Sequence, residues 1–380
     1  MTPIPFNRAA VTGRETEYVT RAIAEGPIHG DGPFTAACHG WLERLTGSPK
    51  ALLTTSCTHA LEMAALLLDL GDGDEVIVPP FTFVSTVNAV VLRGAKPVFV
   101  DIRPDTLNLD ESAIEAAITP RTRAILLVHY AGVACEMDRI MAIAARHRLT
   151  VIEDNAHGLF GAYKGKALGT FGALATLSFH DTKNLSCGEG GALMLNDARL
   201  IERAEIIREK GTNRTRFYRG QVDKYTWCDV GSSYLPSDIL AAYLLAQLES
   251  HDRIQQRRHA LWSRYFSELR SPAAAAGVRL PVVPEHYSHP AHIFYVLMPT
   301  LEARTRLLAS LRAQKILAVF HYLPLHLSEM GRRMGGREGQ CPVTENVCDR
   351  LVRLPIFYQL TDSDQARVIE AVIAAWSAQA

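Results

Sequence analysis

The sequence predicts an α/β protein, a mainly parallel sheet flanked by helices with a smaller α+β unit after it, and three observations carry that expectation. Short apolar runs rich in Val, Ile and Leu alternate with stretches of helical spacing. That succession is the rhythm of parallel strands joined by crossover helices. The rhythm holds from about residue 50 to residue 180 and then gives way to a different texture.

The elements follow in order. "ALLTTS" at 51–56 reads as a strand leading into "THALEMAALLLDLG", a helix expected to start near Thr58, to bury Leu61, Ala64, Ala65 and Leu68, and to stop at Gly71. "EVIVPP" is the next strand, "VSTVNAVVLRGA" its helix and "PVFVDI" the strand after it. "RAILLVHY" with the helical "CEMDRIMAIAARHR", then "TVIEDN" and "GALATLSFH", complete the set. Parallel strands joined by crossover helices have this order. Residues 208–234 are a long polar stretch rich in cations; a helical region is expected from Pro236 to about Leu269, and "SPAAAAGVRLP" reads as a linker. The expected organisation is an amino-terminal segment and large domain over residues 1–250, with a small carboxy-terminal domain over 251–380.

The chain has 380 residues, 48% of them hydrophobic, which suffices for a packed core in two domain-sized units. Forty basic residues balance forty acidic ones, so there is no net field to gather nucleic acid or an anionic membrane surface. An anionic ligand has to be held by a local arrangement. No apolar run approaches the roughly 18 residues of a membrane span, and "MTPIPFNRAA" lacks the pattern of an export signal, so a cytoplasmic location is expected. Seven cysteines with no Cys-x-x-Cys pair argue for neither a disulfide framework nor a metal site.

In open parallel sheets ligands bind beyond the carboxyl ends of the strands, and four polar clusters stand there. Cys57 and Thr58 open a helix, where free amides and the helix dipole suit a phosphate; an ordinary helix cap fits the same residues. Phe83 follows a strand, as a core residue or a stacking plate. Asp154 and His157 end a buried strand, where a carboxylate needs a cationic partner from the chain or from a ligand nitrogen. Ser178 and Lys183 follow the last strand, before Gly188, Gly190 and Gly191, which would let backbone approach a ring closely. Any one of these has a structural explanation. Together, a phosphate cradle, an aromatic plate, a carboxylate for a pyridinium nitrogen and an amine able to form a Schiff base are the groups that hold pyridoxal 5'-phosphate.

The sequence resembles the DegT-like sugar-nucleotide aminotransferases, among the fold-type I pyridoxal phosphate enzymes, and within them is most similar to the dTDP-4-amino-4,6-dideoxygalactose transaminases. The similarity runs through "GDGPFT", "TSCTHALEMAALLLD", "PPFTFVSTVNAVVLRGAKPVFVDIRPDT", "VHYAGVACEMD", "EDNAHG", "FHDTKNLSCGEGGALMLND", "REKGTNR", "RGQVDKYTW", "HYLPLH" and "RLPIFY", so it covers nearly the whole chain. The resemblance implies Lys183 as the cofactor-bearing lysine, Asp154 on the ring nitrogen, His157 near the ring hydroxyl, Phe83 stacked on the ring, and Cys57, Thr58 and Ser178 at the phosphate. Many relatives carry Gln at position 157, and an Asn and an Arg where this chain has Ser233 and Leu235; the Asn reaches the partner subunit's cofactor phosphate, so Ser233 is the candidate here. It further implies L-glutamate as amino donor, a 4-keto dTDP-sugar as acceptor, and a homodimer with shared sites.

The diphosphate of such a substrate needs cations, and the loop from Arg208 to Lys224 is the candidate, with Arg214, Lys224 and Tyr225 in it; a solvated loop reads equally well. His321, Tyr322 and His326 of "HYLPLH" are candidates for hydrogen bonds to the sugar, or for ordinary packing. A 3-keto sugar is the alternative acceptor. A dehydratase of this family would carry His in place of Lys183, and a non-catalytic relative would be expected to lose Lys183 or Asp154.

Overall fold

The computed structural model describes residues 2–378. Along the chain come α1 (Glu15–Glu25), α2 (Pro33–Thr46), β1 (Lys50–Thr54), α3 (Cys57–Leu67), β2 (Glu75–Val78), α4 (Val84–Val91), β3 (Lys96–Phe99), β4 (Thr122–Val128), α5 (Met137–His147) and β5 (Thr150–Asp154). A small hairpin, β6 (Ala162–Tyr163) and β7 (Lys166–Ala167), precedes β8 (Leu174–Ser178) and β9 (Gly191–Leu195). Then follow α6 (Ile201–Arg208), α7 (Arg214–Tyr218), α8 (Asp238–Glu249), α9 (His251–Ala275), β10 (Tyr287–Ser288), β11 (Phe294–Leu297), α10 (Leu301–Ala313), α11 (Glu329–Arg333), α12 (Pro342–Arg350), β12 (Leu351–Leu354) and α13 (Asp362–Ser377).

Seven strands form one sheet in the order β1-β9-β8-β5-β4-β2-β3. β2, β3, β4, β5 and β8 run parallel, and β9 is antiparallel to both of its neighbours, β8 and β1. The two strands that bracket the Lys183 loop are thus a hairpin within an otherwise parallel sheet. That reversal keeps the loop at the carboxyl end of β8, beside the ends of β5 and β4. Both faces of the sheet are covered: Leu52, Val76, Leu126 and Leu193 pack with α3 on one side, and on the other Leu53 and Met194 pack with α2 and α8, and Ile77 and Ile125 with α5. Charged termini and backbone at the strand ends are what remain for chemistry.

Two expected boundaries move. α3 starts at Cys57, capped by Ser56 Oγ accepting from the His59 amide at 3.1 Å, a bond of the kind that contributes about 0.5–2 kcal/mol. It ends at Leu67 because Asp69 already takes a left-handed φ of 50°, ahead of Gly71, and Leu68 is consequently only half-buried, unlike Leu61, Ala64 and Ala65. The expected linker at Ser271 is instead the last turn of α9, which runs through Pro272 to Ala275. Alanines favour the helix, and a proline near its end removes a single i→i−4 bond. The chain leaves only at Gly277, whose φ is +65°.

The carboxy-terminal elements enclose their own core, in which Trp262, Tyr265, Phe294, Leu307 and Trp376 pack with Ile4 from the start of the chain. α9 is common to two cores, since Ile254 lies against α2 and α8. Among the described residues no helix is long and apolar enough to cross a membrane.

Candidate active site

Adjacent carboxylates at the end of β5 have opposite environments. Glu153 is fully buried and accepts from His129 Nε2 at 2.9 Å and from the amides of Gly169, Phe171 and Gly172 at 2.8, 2.7 and 2.7 Å, which makes it a structural clamp. Asp154 is also buried but accepts only from Thr86 Oγ1 at 2.7 Å and the Ala156 amide at 3.2 Å. Among the described residues no cationic side chain hydrogen-bonds to it, and burial pushes its carboxyl above the ordinary range. A carboxylate in that position is short of a positive partner.

The sheet register aligns the other groups. Asp154 lies opposite Thr176 of β8, and Cys57 Sγ meets Thr176 Oγ1 at 3.4 Å, so Cys57 and Asp154 flank the same threonine. Beyond Ser178 the Lys183 amide donates to the His180 carbonyl at 2.9 Å, a turn that holds the lysine beside both. Burial pushes the Lys183 amine down to about 8, with Cys57 and Asp154 the nearest groups opposing that fall. A deprotonated amine near neutral pH is what Schiff-base formation requires. Reaction of cofactor-free protein with pyridoxal phosphate is therefore expected to accelerate about tenfold per pH unit below 8 and to level off above it. Absorbance of the bound cofactor during reconstitution at fixed pH reads this; a rate flat from pH 6.5 to 9 would contradict it.

At the start of α3 the amides of Cys57 and Thr58 have no acceptor among the described residues, and the Thr58 and Ser85 hydroxyls lie 2.8 Å apart beside them. Burial pushes the Cys57 thiol up to about 12, so it is neutral and no rival for an anion. Here the expectation for the glycines is corrected. A Cβ on Gly191 would collide with the backbone of Ser56 and Cys57, and one on Gly190 with Cys187 Sγ, while Gly188 has open space and a φ of +85°. The glycines bring β9 against the start of α3 and turn the chain; they leave room for the helix terminus, not for a ring.

Phe83 caps α4 next to Thr82 and Thr86, which bond to each other at 2.8 Å. Phe83 is 59% exposed while its neighbour Phe81 is buried, so its side chain is open to a ligand. His157 is buried; its Nδ1 accepts from the Ala131 amide at 3.3 Å, leaving the proton on Nε2. Burial, then the Lys183 charge, holds it well below the usual imidazole range, so it is a neutral donor. His292 lies 4.6 Å from it, ring to ring, and is tied to Asn184 Oδ1 at 2.8 Å. His321 and Tyr322 close the same wall: Tyr130 Oη is 3.1 Å from His321 Nδ1 and the Tyr322 ring is 5.4 Å from Phe81.

Three sequence-based expectations are corrected. His326 is fully buried and bonded through Nε2 to Glu345 at 2.9 Å, which leaves it no surface for a sugar. Arg208, placed at the head of the basic loop, is also buried, donating to the Leu53 carbonyl and to Asp31, both at 2.7 Å. It holds "GDGPFT" against β1. Arg214 is committed to Glu209 at 3.2 Å and to Tyr218 Oη at 2.7 Å, and Arg216 and Arg219 pair with Glu202 and Glu205. Among the described residues Lys224 is the cation of this loop with no ion pair, next to exposed Tyr225, and Ser233 is exposed. The loop also bares Tyr218 and Trp227, the latter 77% exposed.

The model of the DegT/DnrJ/EryC1/StrS aminotransferase family matches residues 10–373. The chain belongs to that family. Uncharacterized protein MJ1066 of Methanocaldococcus jannaschii is 36% identical over 348 residues, 90% of this chain and 89% of that one. A putative sugar aminotransferase of Streptococcus pneumoniae, Spr1654, superposes in its PMP-form with a TM-score of 0.92 at 26% identity, covering 99% of both chains, and in its PLP-form with 0.91. S. venezuelae DesV in complex with a ketimine intermediate gives 0.89 at 32% identity, again over 99% of both. The α/β fold with a mostly parallel sheet is the fold of these aminotransferases.

Residues absent from the sequence-based set now join it. Tyr130 and His129 followed a strand run and carried the same signal that pointed to Asp154. Thr86 and His292 carried none, because each meets the site only through tertiary packing, and Asn184, next to Lys183, joins through its bond to His292.

Proposed function

We propose that this sugar aminotransferase is pyridoxal 5'-phosphate dependent and moves the amino group of L-glutamate to the 4-keto carbon of dTDP-4-keto-6-deoxy-D-glucose, giving a dTDP-4-amino-4,6-dideoxyhexose and 2-oxoglutarate. The observation that carries the reading is Asp154, a buried carboxylate without a cationic hydrogen-bond partner, beside a lysine whose amine is held near 8. The residues fit the cofactor. Asp154 suits a protonated ring nitrogen, Phe83 offers a ring face, the His157 Nε2–H donor suits a ring oxygen, and the Cys57 and Thr58 amides with the Thr58 and Ser178 hydroxyls suit a phosphate. Exposed Ser233 is available to a partner subunit's phosphate.

When bound, the cofactor supplies an aldehyde that exchanges amines and a ring that accepts an electron pair. Lys183 would hold it covalently, and the same amine would be the base that moves a proton in each half-reaction. Asp154 would keep the proton on the ring nitrogen, without which the ring is a poor electron acceptor. Thr86 keeps the carboxylate oriented. His157, being neutral, stabilises the ring oxygen without adding a charge beside Lys183.

The exposed aromatics of the 214–230 loop support a homodimer in which this loop reaches the partner's site, with Lys224 and Tyr225 at the sugar nucleotide. Lys224→Ala is expected to raise the apparent KM for the sugar nucleotide by about tenfold or more, a charged hydrogen bond being worth about 1.5–3 kcal/mol. Arg214→Ala should act more weakly, since Glu209 and Tyr218 already hold that guanidinium. The glutamate half-reaction, followed by the cofactor spectrum, should be nearly unchanged in both; equal loss in the two halves would remove the sugar-nucleotide role. The experiment for the function itself is incubation with L-glutamate and dTDP-4-keto-6-deoxyglucose, with the product identified by NMR. No product from this substrate, with the 3-keto isomer aminated instead, would overturn the proposed reaction.

A further inference from the structure

The residue next to Lys183 has its whole amide committed. Asn184 is buried, and its Nδ2 donates to the Pro290 carbonyl at 2.7 Å and to Gln255 Oε1 at 2.9 Å. A carbonyl can only accept, so the amide nitrogen faces Pro290 and Oδ1 faces His292 Nδ1, 2.8 Å away. His292 therefore carries its proton on Nδ1 and leaves Nε2 bare.

The segment that bears His292 is fixed on its other side by α9. Arg258 donates to the Ala291 and His292 carbonyls at 3.1 and 2.7 Å, and the Gln255 amide to the Pro290 carbonyl at 3.4 Å. A Cβ on Gly132 would collide with the Pro290 ring and with the His157 carbonyl, so the two segments meet at that glycine. The His292 and His157 rings lie 4.6 Å apart with a tilt of 37°. His157 has the opposite tautomer, its Nδ1 accepting from the Ala131 amide at 3.3 Å, and its other ring neighbours, Tyr130 and His321, stand farther off at 6.0 and 6.2 Å. Both histidines are buried, and burial holds both well below the usual imidazole range, with Lys183, Arg258 and Arg353 also opposing a proton on His292. The stack is one of two neutral rings.

We infer that Asn184 and His292 are positioning residues for His157: the Asn184 carbonyl fixes the His292 ring, and that ring is the platform on which the His157 donor is held. The use of that donor rests on the aminotransferase reading, in which its Nε2–H bonds a ring oxygen of the cofactor. Because Asn184 follows Lys183 in the chain, the amine and the donor share one frame. Neither Asn184 nor His292 needs to touch the cofactor.

His292→Asn keeps a donor for Asn184 Oδ1 and removes the platform; Asn184→Leu keeps the bulk and removes the acceptor. In the cofactor-free full-length chain, ring-nitrogen NMR should show His292 protonated on Nδ1 and His157 on Nε2. In either variant the His157 titration should move up toward the ordinary 6.5 by about one pH unit or more, as water reaches the loosened ring. In the holoenzyme the His157 donor competes with the Schiff-base proton for the ring oxygen, so misplacing it should raise the pH of the chromophore's spectral change by about one unit. That shift should vanish when the same variants are made on His157→Ala, which has no donor left to misplace. The pH at which the reaction of cofactor-free protein with pyridoxal phosphate levels off should stay near 8, whereas a general loosening of the lysine loop would move it. His292→Phe, which keeps a flat ring face, should fall between. Should the variants not fold, the wild-type spectrum decides: a His292 proton on Nε2 or a His157 proton on Nδ1 overturns the inference. An unmoved His157 titration in His292→Asn, or a chromophore shift that persists without His157, overturns it as well. No shift in His157→Ala itself would refute the cofactor role of His157, a failure of the proposed function that the cofactor-free spectra do not share.

Discussion

Lys183→Ala is expected to abolish turnover, by about 10⁴-fold or more, while the variant remains folded and still binds pyridoxamine phosphate. The loss is total in kind because one amine is asked to hold the cofactor and to move the proton in both half-reactions. The fold should survive because burial already disfavours the charged lysine, whose amine is pushed down to about 8, so truncating it removes a desolvated group and, among the described residues, no ion pair. The wild-type protein should be yellow, and glutamate should bleach it; the variant should lack the chromophore. Turnover at the wild-type rate in Lys183→Ala would refute the assignment.

Asp154→Asn should lower the rate by several orders of magnitude, on the scale of about 10⁴ seen when a carboxylate orienting a catalytic ring is neutralised. An amide can still accept from Thr86 but cannot hold a proton on a pyridine nitrogen. Stability should move the other way. Burial raises the folded-state pKa above the ordinary 3.8, so between those values the unfolded chain binds fewer protons, and wild-type stability falls as pH rises through that window. At pH 7 cofactor-free Asp154→Asn should therefore melt no lower than wild type. Calorimetry and single-turnover kinetics test the two halves separately: a rate loss under tenfold, or a lower melting temperature with an unchanged rate, would make the carboxylate structural.

The site residues differ in how visible they were. Lys183 and Asp154 could be read because a parallel sheet puts its ligands beyond the carboxyl ends of the strands, and both follow apolar runs. Glu153 and Asp154 looked alike in sequence; three amides and His129 separate them, and those amides come from residues 169–172 through the tertiary fold. His326 and Arg208 have polar side chains in polar stretches, which is the pattern of a surface, yet Glu345 and Asp31 meet them in the interior. The glycines after Lys183 were recognised as close-approach positions, but what approaches them is the start of α3.

The sequence by itself determined the α/β class, the run of strands, the lysine and the carboxylate, since these depend on local periodicity and on which residue ends a strand. Tertiary structure alone decided that β9 runs antiparallel, that α9 continues through Pro272, that Arg214 is already paired, and that Glu153 is held by the amides of residues 169–172. The physical reason is common to all four. Local propensity acts over a few residues, whereas strand direction, the cost of burying a charge and the partner that relieves it are set by groups brought together from distant parts of the chain.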